Sequence, residues 1–212
     1  MNVALAAVAL AVGAGAVIAV SVRDPRAAIN GLAVVLVGCA LLVDPLPSPA
    51  TLGVRIIGAL LVAAILRAKL PAALAGVESA SRFGWPAEAL IATAASLAGV
   101  GIATGLAAAG SGGIEVGLAA PVTTSGVLMT ATAAALVTLG ATPAALGGSG
   151  ARRAIGLVIV AQAALLAWAG LAGPPGDLEQ IAIVGLLLAC AATGTALAQT
   201  DEPPADSLEE AV

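Results

Sequence analysis

The chain of 212 residues has no histidine, no tyrosine, one phenylalanine, two tryptophans and two cysteines. Without histidine there can be no serine–histidine–acid triad and no histidine-ligated metal centre. Cys39 and Cys190 both lie inside apolar runs, and neither has a partner at metal-ligand spacing. They read as small apolar side chains packed between helices rather than as a disulfide or a metal site. Charge is also scarce. Only 9% of residues are Asp, Glu, Lys or Arg, whereas a soluble domain carries about a quarter. With so few bases, nothing resembles a nucleic-acid footprint. No cofactor motif is present: the glycine-rich stretches 110–113 and 147–150 lack the lysine and the strand–helix context of a phosphate loop.

What the chain has in quantity is apolar surface. Hydrophobic residues make up 60% of it and the mean hydropathy is +1.11. They come in long runs rather than stripes, so the solvent for most of the chain is lipid. A helix needs about 20 mostly apolar residues to cross a bilayer. Seven runs meet that need, near 3–22, 27–43, 49–66, 87–109, 119–140, 154–172 and 178–198. The sequence therefore predicts an all-α fold, a polytopic transmembrane helical bundle of about seven spans over residues 1–199. Proline and glycine punctuate the runs, at Pro25, at 45–49, at 110–113, at 147–150 and at 173–176.

The bases test the count independently, because cytoplasmic loops collect Lys and Arg. Arg23 and Arg26 fall between spans one and two. Arg67, Lys69 and Arg82 fall between three and four, and Arg152 and Arg153 between five and six. Seven of the eight bases thus share one side, with Arg55 left over. Fusing the fourth and fifth runs would split them, so the pattern favours seven spans, with the N terminus outside and the C terminus in the cytoplasm of a cell membrane. Phe83, Trp85 and Trp168 sit near span ends, as an aromatic belt requires. The first run has its charges after the apolar stretch, the wrong polarity for a secretory signal. Residues 200–212 carry five acids, no base and Pro203-Pro204. They read as a disordered acidic cytoplasmic tail.

Spans one to three and five to seven share an orientation, with span four as the odd linker. This is compatible with a 3+1+3 parallel repeat. Arg26-Ala-Ala-Ile-Asn-Gly-Leu in span two is similar to Arg152-Arg-Ala-Ile-Gly-Leu in span six, and Ile56-Ile-Gly-Ala-Leu-Leu in span three to Ile183-Val-Gly-Leu-Leu-Leu in span seven. In lipid, helices associate through small residues. Gly101 and Gly105 in span four, Gly13 and Gly15 in span one, and Gly58 and Gly185 are the expected packing positions.

Few polar groups lie within the spans. Arg55, about one and a half turns into span three, is expected either to snorkel outward or to pair with Asp44 and close the outer hairpin. An Asp44→Asn variant with unchanged insertion and stability would rule out a structural pair. Asn30 in span two, Gln162 in the middle of span six and the cluster Thr123-Thr124-Ser125 are expected to bond neighbouring helices. Glu88, Glu115, Asp177 and Glu179 lie near span ends; Glu88, Asp177 and Glu179 suit helix N-termini, where the dipole favours an acid.

The last three spans resemble the small three-helix subunits of the complex I chain-4L type, which have relatives in multisubunit Na+/H+ antiporters and membrane-bound hydrogenases. The resemblance rests on Arg153-Ala-Ile-Gly-Leu-Val-Ile-Val opening span six and Asp177-Leu-Glu-Gln-Ile-Ala-Ile-Val opening span seven. It implies a subunit embedded among other membrane subunits. The family's complex I members carry buried glutamates in the second and third helices. Here the corresponding places hold Gln162 and no acid beyond Glu179. A proton relay needs a titratable group in the membrane, so the resemblance implies a non-catalytic scaffolding role beside ion-translocating partners. The alternative is a small solute transporter of 3+1+3 architecture, its substrate unspecified. Catalytic, cofactor-binding and metal-ligating residues are expected to be absent.

Overall fold

The computed structural model describes residues 3–22, 24–43, 46–69, 87, 90, 91, 93–95, 97–99, 101, 102, 105, 124–146, 150–173 and 175–200. Within them the fold is all helical. Six helices have defined limits: α1 (Val3–Ser21), α2 (Pro25–Leu41), α3 (Pro49–Lys69), α4 (Thr124–Leu146), α5 (Gly150–Ala172) and α6 (Asp177–Thr200). The described residues between 87 and 105 are helical as well. Helices α1, α3, α4, α5 and α6 are long and apolar enough to cross a membrane. Helix α2, at 17 residues, is at the lower length limit for a span. Its core face is held by α1 on one side and α3 on the other.

The ends of the helices follow local chemistry. Asp24 is the N-cap of α2, its carboxylate accepting from Arg26 N at 3.0 Å, with Pro25 in the first turn. This combination starts the helix two residues earlier than the apolar run does. Ser48 plays the same part for α3, where its Oγ accepts from Thr51 N at 3.3 Å ahead of Pro49. Helix α5 ends at Gly173, whose φ of +98° suits glycine alone. At α6 the Glu179 Oε2 accepts from Gly176 N at 2.9 Å, the reciprocal half of a capping box.

Two span limits need correction. The fifth span was expected over 119–140, but its described helix runs on to Leu146 with Pro143 inside. Proline there removes the amide that would have served the Leu139 carbonyl. The Thr142 hydroxyl donates to that carbonyl instead, at 3.2 Å, a repair that lets proline stay inside a membrane helix. Pro121 lies outside the described residues. The sixth span begins at Gly150 rather than Ala154, which takes Arg152 and Arg153 into its first turn.

Close contacts fix the direction of every defined helix. In α1 and α2, Gly15 faces Gly31 while Val12 faces Gly38, so the pair is antiparallel. In α4 and α5, Gly140 faces Gly156 and Gly170 faces Gly126, again antiparallel. Gly194 of α6 meets Ala154 of α5, antiparallel once more. Between α3 and α6, however, Thr51 binds Asp177 and Gly58 meets Val184, so these two helices run parallel. Helix α3 therefore runs in the same direction as α6 and α4, opposite to α5, while α1 and α2 oppose one another. The first three helices touch the last three: α1 packs on α4, α2 on α5 and α3 on α6.

Helix α3 ends at one face of the bundle and α4 begins at the other. Gly99 packs against Thr130, Ala131 and Ala134 in the middle of α4. Arg26, Arg67, Lys69, Arg152 and Arg153 then all fall at one end of the bundle. Asp177, Glu179 and the exposed Trp168 fall at the other.

A buried polar centre as candidate functional site

Helix α3 turns its small and polar side inward. Its buried positions are Thr51, Arg55, Gly58, Ala59, Val62, Ala63 and Leu66, a stripe of helical period. Val54, Ile57, Leu60 and Leu61 face outward, where lipid accepts them at no cost. Arg55 is thus held inside the bundle, 6% exposed, and does not snorkel. Its Nη1 has no hydrogen-bond partner. Its proposed partner Asp44 lies outside the described residues, and the Arg55–Asp44 pair with it.

Gln162 is on the buried stripe of α5, 1% exposed, and neither Nε2 nor Oε1 has a partner. Cys39 is a free, fully buried cysteine. An arginine, an amide and a thiol are thus each buried, on three different helices.

One turn outward from Arg55, the Thr51 hydroxyl donates to Asp177 Oδ1 of α6 at 2.8 Å; the Ser48 hydroxyl also contacts that of Thr51. Gln180 is one turn inward from Asp177. It donates from Nε2 to the Pro175 carbonyl at 3.2 Å, while its Oε1 is buried and unpartnered. Asp177 therefore does more than suit a helix N-terminus: it ties α6 to α3.

Other expected positions fall elsewhere. Asn30 is exposed on the outside of α2 and does not join the centre. Gly101, Gly105 and Gly185 are exposed, and among the described residues a side chain at any of them would meet open space. Gly13 likewise meets nothing, whereas Gly15 and Gly58 do pack, beside Gly31, Gly38, Gly99, Gly140, Gly156, Gly170 and Gly194. The difference is which face of its helix each glycine occupies. The described threonines of α4 bond their own helix: Thr130 donates to Gly126 O and Thr132 to Leu128 O, both at 2.8 Å. Thr123, Glu88, Glu115, Phe83 and Trp85 lie outside the described residues.

Neither Cys39 nor Gln180 stood out in the sequence as part of a polar centre. The available signal was the helical stripe: Cys39 continues the buried row of Leu32, Val35 and Leu36 on α2, and Arg55 shares its stripe with Gly58 and Ala59. Among the described residues no group of His, Cys, Asp and Glu could hold a metal ion. No protein-family model, curated protein or solved structure matches the chain.

Proposed function

We propose that this chain is a non-catalytic, multi-pass subunit of a larger ion-translocating assembly of the plasma membrane, of the antiporter, respiratory or hydrogenase type. The observation that supports this best is the division of its surfaces. The described interior is closed by glycine and alanine contacts. The buried polar residues within it are threonines, two glutamines and Arg55, a set without the titratable carboxylate that a proton relay uses. The outward faces of α3 and of the segment near 87–105 carry Leu60, Leu61, Leu90, Ile91, Leu97 and Ile102. This is the kind of surface that packs on lipid or on a neighbouring subunit. The likeness of residues 153–160 and 177–184 to the chain-4L type points the same way. The bases at one end favour that end as cytoplasmic, with the N terminus outside and the acidic tail inside. Purification of the tagged protein from its native membrane in gentle detergent, with mass spectrometry, tests the reading. Stoichiometric recovery of large antiporter-like, hydrogenase or NADH-oxidising subunits is the expected result, and a clean monomer or homo-oligomer would refute it.

A second reading, a small solute transporter of 3+1+3 architecture, is favoured by one observation. Arg55 Nη1 and both polar atoms of Gln162 are buried without hydrogen-bond partners, as groups that meet a substrate would be. Transport in liposomes that is abolished by Gln162→Ala would put this reading first. Asn30→Ala is expected to have no effect, because Asn30 faces outward.

A further inference from the structure

The outer side of α2 changes character along its length. Arg26, Asn30 and Val34 are exposed there, and Ala33, Val37 and Leu41 are half-buried. At about 100° of turn per residue these six positions share one side of the helix. The stripe runs from a cation in the first turn, through a neutral amide, to apolar residues alone. Its apolar part lines an open groove of about 400 Å³, closed on the other side by Val8 and Ala11 of α1. Gly38 makes the crease between the two helices close, since a β-carbon there would run into Val12. The lining of the groove is wholly apolar.

Dimensions decide what the groove fits. From Ala33 to Leu41 it extends roughly 12 Å along α2, at 1.5 Å per residue. Its volume over that length gives a section roughly 6 Å across, against about 10–12 Å for a helix with its side chains. A hydrocarbon chain enters such a groove and a partner helix does not. Depth agrees. Along the axis from Arg26, Asn30 is about 6 Å away, Ala33 about 10 Å and Leu41 about 22 Å. One leaflet is about 15 Å of hydrocarbon beneath about 6 Å of headgroup region. A lipid whose phosphate is at Arg26 thus has its esters at the depth of Asn30 and its tail along Ala33, Val37 and Leu41. A guanidinium suits phosphate with paired N–H bonds. The adjoining carboxylate, Asp24, is engaged as the cap of α2 by the Arg26 backbone amide.

We propose that the outer crease of α1 and α2 binds one anionic phospholipid from the leaflet that holds Arg26. Arg26 pairs with the phosphate, the Asn30 amide donates to an ester carbonyl, and one acyl chain fills the apolar groove. The site lies on the outer surface and stands apart from whether the chain works as a subunit or a transporter.

The test is native mass spectrometry of the full chain in mild detergent, titrated with phosphatidylglycerol or with phosphatidylcholine of the same acyl chains. One phosphatidylglycerol is expected to bind ahead of phosphatidylcholine. Arg26→Gln should weaken phosphatidylglycerol about tenfold, the usual cost of losing a hydrogen bond to a charged group. Arg67→Gln, an exposed base on α3, should leave it unchanged. Ala11→Phe fills the groove from its exposed side and should weaken both lipids. Equal binding of the two lipids by the unaltered protein would overturn the proposal. So would an equal loss in Arg26→Gln and Arg67→Gln, which marks a general effect of charge. Lipid binding that Ala11→Phe leaves intact, or a dimer that Ala11→Phe splits, would remove the acyl chain from the groove and is equally fatal. If Ala11→Phe does not fold, the comparison of Arg26→Gln with Arg67→Gln decides alone.

Discussion

A β-carbon added to Gly156 would stand 2.5 Å from the Ala144 backbone nitrogen and 2.7 Å from the Gly140 carbonyl oxygen. Neither atom can move without separating α4 from α5. Gly156→Ala is therefore expected to destabilise the bundle by about 1–3 kcal/mol, the usual range for overpacking. Gly185→Ala, where a β-carbon meets nothing among the described residues, should stay within about 0.5 kcal/mol of the parent. Unfolding in mixed detergent micelles separates the two cases, and equal losses at both sites would contradict the contacts. The same logic applies to the bond between α3 and α6. Thr51→Val removes the donor to Asp177 and should cost about 0.5–2 kcal/mol, the range found for hydrogen bonds between membrane helices. At this scale the sequence was a poor guide. It showed that glycine was plentiful, but Gly101 and Gly156 look alike until the facing helix is known.

Helix α4 illustrates what an element can tolerate. Pro143 lies within it, and the carbonyl that proline leaves unserved, Leu139, is bonded by Thr142. Thr142→Val should destabilise the helix by roughly 1 kcal/mol, a typical net value for one hydrogen bond. In a Pro143→Ala background the same change should cost much less, because the restored amide serves the carbonyl. A double-mutant cycle reads this coupling directly, and additive effects would show that the two residues act separately. The helix limits were legible at Ser48-Pro49 and Gly173, but at Asp24-Pro25 the apolar run began two residues late. Inside α4 the run was ended at Gly140, short of Pro143 and Leu146, because the repair of a proline by a neighbouring hydroxyl depends on helical geometry.

For the whole molecule, the parallel pairing of α3 with α6 is the contact with the widest consequence. It places Lys69 and Arg153 at the same end and Asp177 at the opposite end. In a background with Cys39→Ala and Cys190→Ala, single variants Lys69→Cys and Arg153→Cys should react with an impermeant thiol reagent from one side of the membrane. Asp177→Cys should react from the other. Labelling of Lys69→Cys and Arg153→Cys from opposite sides would require an even number of crossings between α3 and α4. Helices α3 and α6 lie side by side and run parallel, and α2 touches α5.

The sequence by itself determined the solvent, the secondary structure and the approximate spans. These depend on local quantities: the length of an apolar run, the spacing of proline and glycine, and the side on which bases collect. It also marked Arg55 and Gln162 as unusual, because a polar group in lipid is costly wherever its helix points. Only the tertiary structure decided which way they point. The rotation of each helix about its axis is set by which face meets a neighbour, and large apolar residues give no guide when lipid suits them as well as a core does. That is why Arg55 is enclosed, as Cys39 and Gln162 are, rather than turned to the interface, and why Asn30, equally polar, is outside.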